Sequence, residues 1–301
     1  MQYSAYKDML SSAYRKPSYG RIAAVVALCF LVTTIATPIF LGLVGKIAPE
    51  LTPVQVTQGS FEIGVTPGGL FIVLASFALL LLTTILSAKR FADRDLRSLT
   101  GPIPQMRLDF ILSMKWLVGI TVVLLLVPTP HNSGDTPVEL IAQMPISIWL
   151  AWLPLGLLGL AVQVIAEEVF FRGYLQTQLV AATKSYSKGM VLAALLFGVG
   201  HVSMDLTGYA ALVPVLWAVL FGLAAGDLTA RSGTLGPALA LHFTNNMAAL
   251  FIAPPQGQLS GFGLWTRQID LNSAYADPIT MVFEGLILLI TWLTVRIALM
   301  R

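Results

Sequence analysis

Charged residues are scarce in this sequence. Asp, Glu, Lys and Arg together make up 11% of the 301 residues, whereas soluble domains carry about 25%. Hydrophobic residues supply 56% of the chain, and the mean hydropathy is +0.79. This composition excludes an ordinary soluble domain and predicts a protein that crosses a lipid bilayer several times.

Cysteine is almost absent as well. Cys29 is the only one, which excludes an intrachain disulfide and a metal cluster held by cysteines. It lies in the first apolar run, where we expect it to pack as a small apolar residue rather than to act as a nucleophile. The net charge of +3 comes from basic residues spread over several loops, so the sequence predicts no nucleic-acid partner.

Eight apolar segments predict the fold class, an all-α polytopic membrane bundle of about eight transmembrane helices. The fourth segment would be roughly 55 Å long as one helix, which exceeds a hydrocarbon core of ~30 Å. We therefore expect it to bend or break near Pro154 and Gly156, or to project beyond the membrane. The predicted spans are 22–44, 69–88, 108–127, 146–182, 189–204, 209–229, 237–252 and 278–299.

The chain divides into four predicted regions. A polar and aromatic leader (1–21) precedes three membrane helices (22–145). A core (146–252) holds most of the polar residues inside spans, and an outer loop with the final helix (253–301) follows. The connections 45–67, 128–145 and 253–277 are predicted as loops.

The positions of the basic residues predict how the helices are oriented. With the N-terminus inside, only Lys46 and Arg267 of the 18 Lys and Arg residues fall in outside loops. Cytoplasmic loops are the ones that carry an excess of Lys and Arg. We therefore expect both termini to be cytoplasmic.

Two adjacent carboxylates, Glu167 and Glu168, follow the uncharged run 146–166. A charge near the bilayer centre costs about 3 kcal/mol on insertion scales, so such groups usually face a protein interior and have partners. Glu168 and Arg172 are four residues apart and share a helix face, which predicts an ion pair. Glu167 would then be the carboxylate that is left for chemistry.

Two later spans each carry a polar edge of the same kind. Phe197 and His201 are four apart in FGVGH, and His242 and Asn246 are four apart in HFTNN. Three helices with one polar edge each can bring those edges together inside a bundle. Each motif also has a purely structural interpretation, as an interhelical ion pair, a core histidine or a hydrogen-bonded patch. We expect the remaining intramembrane acids, Asp227 and Glu284, to be structural or interfacial.

The joint pattern suggests hydrolysis. A carboxylate and an imidazole can activate a water molecule as general base and acid, and a second His with an Asn can stabilise an oxyanion. The alternative use is metal binding, because Glu167, His201 and His242 can supply three zinc ligands and leave one position open. The expected cofactor is therefore none or one divalent metal such as zinc.

The three stretches together resemble the CPBP family, intramembrane endopeptidases related to type II CAAX prenyl proteases and bacteriocin-immunity proteins. That family has EExxxR, FxxxH and HxxxN or HxxxD on successive membrane helices. They stand here as Glu167–Arg172, Phe197–His201 and His242–Asn246, and the resemblance covers roughly residues 147–250.

The resemblance implies an active site in a cavity below the membrane surface and the hydrolysis of a peptide bond. Glu167 with His201 would activate water, and His242 with Asn246 would form the oxyanion site. Glu168, Arg172 and Phe197 would support them. The expected partners are the lipid bilayer and a peptide or membrane-protein substrate, and we expect a bacterial inner-membrane protein.

A non-catalytic membrane protein of the same fold is the alternative hypothesis. An immunity or partner-binding factor can keep the polar cluster without its chemistry. A carrier would be expected to show inverted repeats and broken helices in both halves, and the sequence shows neither clearly.

Overall fold

Long apolar helices joined by short polar segments make up the structure, a computed structural model that describes residues 3–57, 60–127, 139–203 and 205–299. The chain is 76% helical, which confirms the predicted all-α membrane bundle. The helices are α1 (Lys7–Ala13), α2 (Tyr19–Ile47), α3 (Pro67–Ala92), α4 (Leu96–Thr100), α5 (Ile103–Leu125), α6 (Ile146–Thr183), α7 (Tyr186–Val199), α8 (Leu212–Ser232), α9 (Gly236–Phe251), α10 (Leu271–Ala276) and α11 (Pro278–Leu299).

Every predicted span falls on a helix, but the helices differ in length. In the part of the chain that the structure describes, α2, α3, α6, α8 and α11 are long and apolar enough to cross a membrane. Helices α7 and α9 have only 14 and 16 residues, fewer than the ~20 that a crossing needs. These two short helices carry FGVGH and HFTNN, so the site is built on helices supported by longer neighbours.

Helix α6 departs from the prediction in where it is irregular. The α-helix runs through Pro154 and Gly156, so a break at these residues is wrong. Phe251 and Phe262 pack against Gly156 so closely that a side chain there would overlap Phe251. The irregular segment is Val169–Gln176, which is π-helical and begins directly after Glu168. Such segments are frequent at functional sites.

Short strands occupy parts of all three predicted loops. In the 45–67 connection an antiparallel hairpin forms, and in the 253–277 connection a strand pairs with a segment just before α6. Residues 128–138 of the third predicted loop lie outside the described residues. The strands are β1 (Val54–Thr57), β2 (Ser60–Ile63), β3 (Glu139–Ala142) and β4 (Trp265–Gln268). These four strands lie at the end of the bundle that we call the strand end.

The leader packs into the opposite end of the bundle, which we call the leader end. Tyr6, Met9 and Leu10 are all at most 1% exposed. The backbone of Ala5 crosses Gly233, which has φ +72°, and a side chain at Gly233 would overlap the Ala5 carbonyl oxygen. The leader is therefore part of the core rather than a free extension.

A buried arginine joins the leader to α6. Arg94 is fully buried and donates hydrogen bonds to Thr177 Oγ1 and to the carbonyl oxygens of Ser98 and Met9. Burial lowers the pKa of Arg94 to about 10, so the guanidinium stays charged at neutral pH. These bonds fix the leader end of α6 just beyond the π-helical segment.

Helix α8 packs close to α6 and α7 because its glycines face these helices. Side chains in place of Gly222 and Gly226 would press against Ala194 of α7 and overlap Gln176 of α6. Gln176 Nε2 donates to the Gly226 carbonyl oxygen at 3.2 Å. Small residues at such crossings let helix backbones approach each other in membranes.

Candidate active site

Glu168 is the most enclosed carboxylate of the cluster, with a fully buried side chain. Its Oε1 accepts hydrogen bonds from Arg172 Nη1 at 2.9 Å and from His242 Nδ1 at 2.8 Å. The predicted Glu168–Arg172 ion pair is therefore confirmed. Breaking a buried pair of this kind by removing one partner typically costs 3–5 kcal/mol.

Aromatic rings surround the Arg172 guanidinium, which is 2% exposed. Its Cζ lies 4.3 Å from the centroid of the Phe197 ring and 5.8 Å from that of Phe221. An arginine over an aromatic face is attracted by the ring quadrupole, more strongly when water is excluded. Phe197 of the FGVGH motif thus stabilises the cation that holds Glu168.

His242 lies between both carboxylates, with its two ring nitrogens on different partners. Nδ1 contacts Glu168 at 2.8 Å, and Nε2 lies 3.6 Å from Glu167 Oε2. Because Arg172 holds Glu168 as a carboxylate, Nδ1 carries the hydrogen and donates it. The rings of Phe221 and Phe197 meet the imidazole edge-on at 5.1 and 6.2 Å and fix its plane.

Glu167 keeps one oxygen without a hydrogen bond. Oε2 is buried and has no hydrogen-bond partner among the described residues, although the side chain as a whole is 13% exposed. The distance of 3.6 Å to His242 Nε2 is longer than a direct hydrogen bond. A small polar molecule can therefore contact both atoms at once.

His201 follows the end of α7 and is oriented by its own helix. Its Nδ1 lies 2.9 Å from the Phe197 carbonyl oxygen, which can only accept, so Nδ1 carries the hydrogen and Nε2 is the acceptor of the neutral ring. No ion pair joins His201 to a carboxylate in the described ranges. The Phe197 ring, 4.6 Å from that of His201, also contacts His242.

Asn246 lies one turn after His242 on α9 and is held at both ends of its amide. Its Nδ2 donates to Gln163 Oε1 at 3.1 Å, and its Oδ1 accepts from Asn245 Nδ2 at 3.1 Å. One Nδ2 hydrogen remains for a further acceptor. The orientation of this amide is therefore set by two residues that the sequence motifs do not include.

Gln163 is the residue that the sequence prediction missed. It is 6% exposed and lies one turn before Glu167 on α6. A signal was present, because Gln163 is the only amide side chain in the run 146–166. A buried polar group in such a run needs a partner, and Asn246 provides it.

The predicted metal ligands do not converge on one position. Among the residues that the structure describes, no group of three or more His, Cys, Asp and Glu side chains is placed to hold a metal ion. Of the three predicted zinc ligands, Glu167 and His242 lie 3.6 Å apart, whereas no hydrogen bond or ion pair joins His201 to either of them in the described ranges. The described geometry does not fit a three-ligand site, and we derive no step through a metal.

Comparison with known proteins identifies the part of the chain that carries this cluster. Residues 147–248 match the family model of the type II CAAX prenyl endopeptidases, described as Rce1-like. The matched range contains all seven predicted site residues: Glu167, Glu168, Arg172, Phe197, His201, His242 and Asn246. It spans about a third of the chain. No curated protein matches the sequence. Residues 147–248 are therefore similar to the Rce1-like type II CAAX prenyl endopeptidases, which confirms the family resemblance that the three motifs indicate.

Proposed function

We propose that this integral membrane protein is an intramembrane endopeptidase that hydrolyses a peptide bond of a peptide or membrane-associated protein. The matched family is a protease family, which supports enzymatic activity in general. The observation that carries the proposal is the position of His242, 2.8 Å from Glu168 and 3.6 Å from Glu167. If the Glu168–Arg172 ion pair only held helices together, it would need neither the His242 imidazole nor the Glu167 oxygen that has no hydrogen bond.

The charges of the cluster call for one additional proton. Glu167, Glu168 and Arg172 sum to one negative charge when all are ionised, and a low dielectric makes an uncompensated charge costly. A proton on His242 Nε2 brings the group to neutrality and directs an N–H toward Glu167. The resting site in this proposal is a carboxylate, Glu167, beside an imidazolium, His242.

Hydrolysis follows from these positions. Glu167 takes a proton from a water molecule as the water oxygen bonds to the carbonyl carbon of the substrate. The carbonyl oxygen becomes an oxyanion, to which His242 Nε2–H and the remaining hydrogen of Asn246 Nδ2 donate. The C–N bond then breaks, and the proton held by Glu167 passes to the leaving nitrogen. The products are a carboxylic acid and an amine, and the acid then gives its proton to the amine, which leaves a carboxylate and an ammonium.

His201 has a separate role in this scheme. Because its Nδ1–H is bound by the Phe197 carbonyl oxygen at 2.9 Å, Nε2 is an acceptor. It accepts the second hydrogen of the attacking water and orients the oxygen lone pair toward the substrate. Glu168, Arg172 and Phe197 act on His242 and do not touch the substrate.

The substrate class follows from where the site lies. The residues are on membrane helices, so a peptide segment must enter laterally between helices or from a membrane surface. We propose a peptide or membrane-associated protein substrate without assigning a prenyl group to it. A bacterial inner-membrane location with both termini in the cytoplasm is part of the same proposal.

The test is cleavage by purified protein in liposomes. A library of membrane-anchored, internally quenched peptides is incubated with the wild type, Glu167→Gln and the matched control Glu139→Gln, whose exposed side chain lies on β3. We expect cleavage by the wild type and the control only, with new termini identified by mass spectrometry. Undiminished cleavage by folded Glu167→Gln would sink the proposal. Absence of cleavage by the wild type, with a cellular function that survives Glu167→Gln, would favour an immunity or partner-binding protein.

A further inference from the structure

A cavity lies beside the candidate active site, and none of the steps proposed above takes place in it. It has a volume of about 210 Å³ and is enclosed by α5, α8, α9 and α11. Most of its wall is apolar, from residues such as Leu117, Trp217 and Phe283. The polar residues that line it are Thr121, Thr244, Asn245, Glu284 and Thr291.

Glu284 is the charged residue of this cavity, six positions into α11, and it is exposed. Within the described ranges its carboxylate makes no hydrogen bond or ion pair. Arg267, whose charge acts on Glu284, donates its Nε to the Ala253 carbonyl oxygen at 2.8 Å. A carboxylate that has no direct partner and lines an apolar cavity suits a ligand that brings a positive charge.

Most of the other polar groups that line the cavity offer acceptor oxygens. The Thr291 hydroxyl donates to the Ile287 carbonyl oxygen at 2.9 Å, and the Thr244 hydroxyl donates to Met114 Sδ at 3.4 Å. Asn245 uses one Nδ2 hydrogen on Asn246, and its Oδ1 and second Nδ2 hydrogen remain. Glu284, as a carboxylate, can only accept. A ligand suited to this lining is apolar along its length and carries several hydrogen-bond donors at one end.

We propose that this cavity binds an apolar chain that ends in a primary ammonium group. The ammonium has three donors and a positive charge, which match the Glu284 carboxylate and the acceptor oxygens, and the chain lies against the apolar wall. Two sources share this chemistry, a free amphiphilic amine and a lipid with an ethanolamine headgroup. The site is distinct from the candidate active site, although Phe221 and Asn245 border both.

Photolabelling tests the proposal without reference to proteolysis. A dodecylamine with a diazirine in its chain is photoactivated with the protein in phosphatidylcholine nanodiscs, and adducts are mapped by peptide mass spectrometry. We expect adducts on segments 117–127, 241–248 and 283–291, which line the cavity. Dodecylamine should compete about ten-fold better than dodecanol, the effect of one charge-assisted hydrogen bond.

Glu284→Gln, which keeps the side-chain shape, should abolish this preference so that amine and alcohol compete equally. Glu62→Gln, on strand β2, is the matched control and should retain this preference. A diazirine dodecanol should label both variants alike, which shows that the cavity is intact. Nanodiscs that contain phosphatidylethanolamine distinguish the two sources. If the ligand is an ethanolamine lipid, that lipid competes with the probe and labelling falls. If the ligand is a free amine, labelling is unchanged. An equal effect of amine and alcohol on the wild type, or an unchanged preference in Glu284→Gln, would overturn the proposal.

Discussion

At the residue scale, one oxygen of Glu168 organises the site. Arg172 and His242 both donate to Oε1, so the carboxylate fixes the guanidinium and the imidazole together. The i,i+4 spacing of Glu168 and Arg172 was enough to predict their pairing. The contact to His242 joins residues 74 positions apart, and no local spacing rule reports it.

Removal of Arg172 should destabilise the fold. Arg172→Met leaves Glu168 buried without its cation, and the free energy of unfolding should fall by about 3–5 kcal/mol. The measurement is equilibrium unfolding in detergent. In the double variant with Glu168→Gln, the loss should be smaller than the sum of the single losses, because both charges are then gone. Strict additivity would show that the two residues do not stabilise each other.

Gln163 should affect turnover rather than binding. Gln163→Ala removes the acceptor that orients the Asn246 amide, and we expect kcat to fall about ten-fold, or ~1.4 kcal/mol of transition-state stabilisation, with KM unchanged. The kinetics use a peptide identified in the library. Gln268→Ala, an exposed glutamine on β4, is the control. A change confined to KM would argue against a positioning role.

At the element scale, the leader is held by a network that centres on Asp227. Tyr3 Oη donates to Asp227 Oδ1 at 2.9 Å, Arg231 Nε lies 2.8 Å from Oδ2, and Trp292 Nε1 donates to Oδ2 at 3.1 Å. Leader, α8 and α11 thus meet at one carboxylate. The expectation that Asp227 is structural agrees with these contacts.

This network predicts a dependence of stability on high pH. Burial first, and then the hydrogen bond to Asp227, raise the pKa of Tyr3 from its usual 10.0 to about 12. The folded state therefore favours the neutral phenol, and this contribution is present below pH ~10 and lost as the pH rises toward ~12. Tyr3→Phe should lower the free energy of unfolding by about 1 kcal/mol at pH 8.

The quantity to follow is the difference in stability between the wild type and Tyr3→Phe, because the other groups titrate equally in both proteins. Thermal unfolding of the two proteins from pH 8 to pH 11 measures it. We expect the difference to shrink as the pH rises. A difference that grows with pH would contradict the raised pKa.

At the scale of the whole molecule, apolar length predicted most of the fold. Eight runs of apolar residues correctly located eight helices, since a membrane leaves the backbone few alternatives to a helix. Strands β1 to β4 escaped notice because each has four residues and too little alternation to separate it from a loop. The packing of the leader depends on contacts such as Ala5 with Gly233, which are remote in sequence.

The candidate site was partly predictable for the same reason. Glu167, Glu168, His242 and Asn246 were found from their types and four-residue spacings. The partner of Glu167 was predicted as His201, whereas the structure shows a contact of Glu167 with His242 at 3.6 Å. Packing of the whole bundle decides which helix faces meet. The sequence therefore indicated the residues of the site but not which of them contact each other.

Metal removal tests the chemistry of the whole enzyme. Because no three His, Cys, Asp or Glu side chains among the described residues are placed to hold a metal ion, we expect cleavage to be unchanged by 1,10-phenanthroline or EDTA. The readout is the cleavage rate after dialysis, with metal content measured alongside. Loss of activity that zinc restores would replace this prediction with a metal-assisted mechanism.

The most direct measurement is the single-turnover cleavage rate of Glu167→Gln relative to Glu139→Gln in liposomes. Both variants lose one carboxylate, but only the first lies beside His242. If Glu167 is the general base, the cleavage rate of Glu167→Gln should fall by about 10²–10⁴-fold, while the control stays at the wild-type rate. A folded Glu167→Gln protein that cleaves as fast as the control would contradict the assignment.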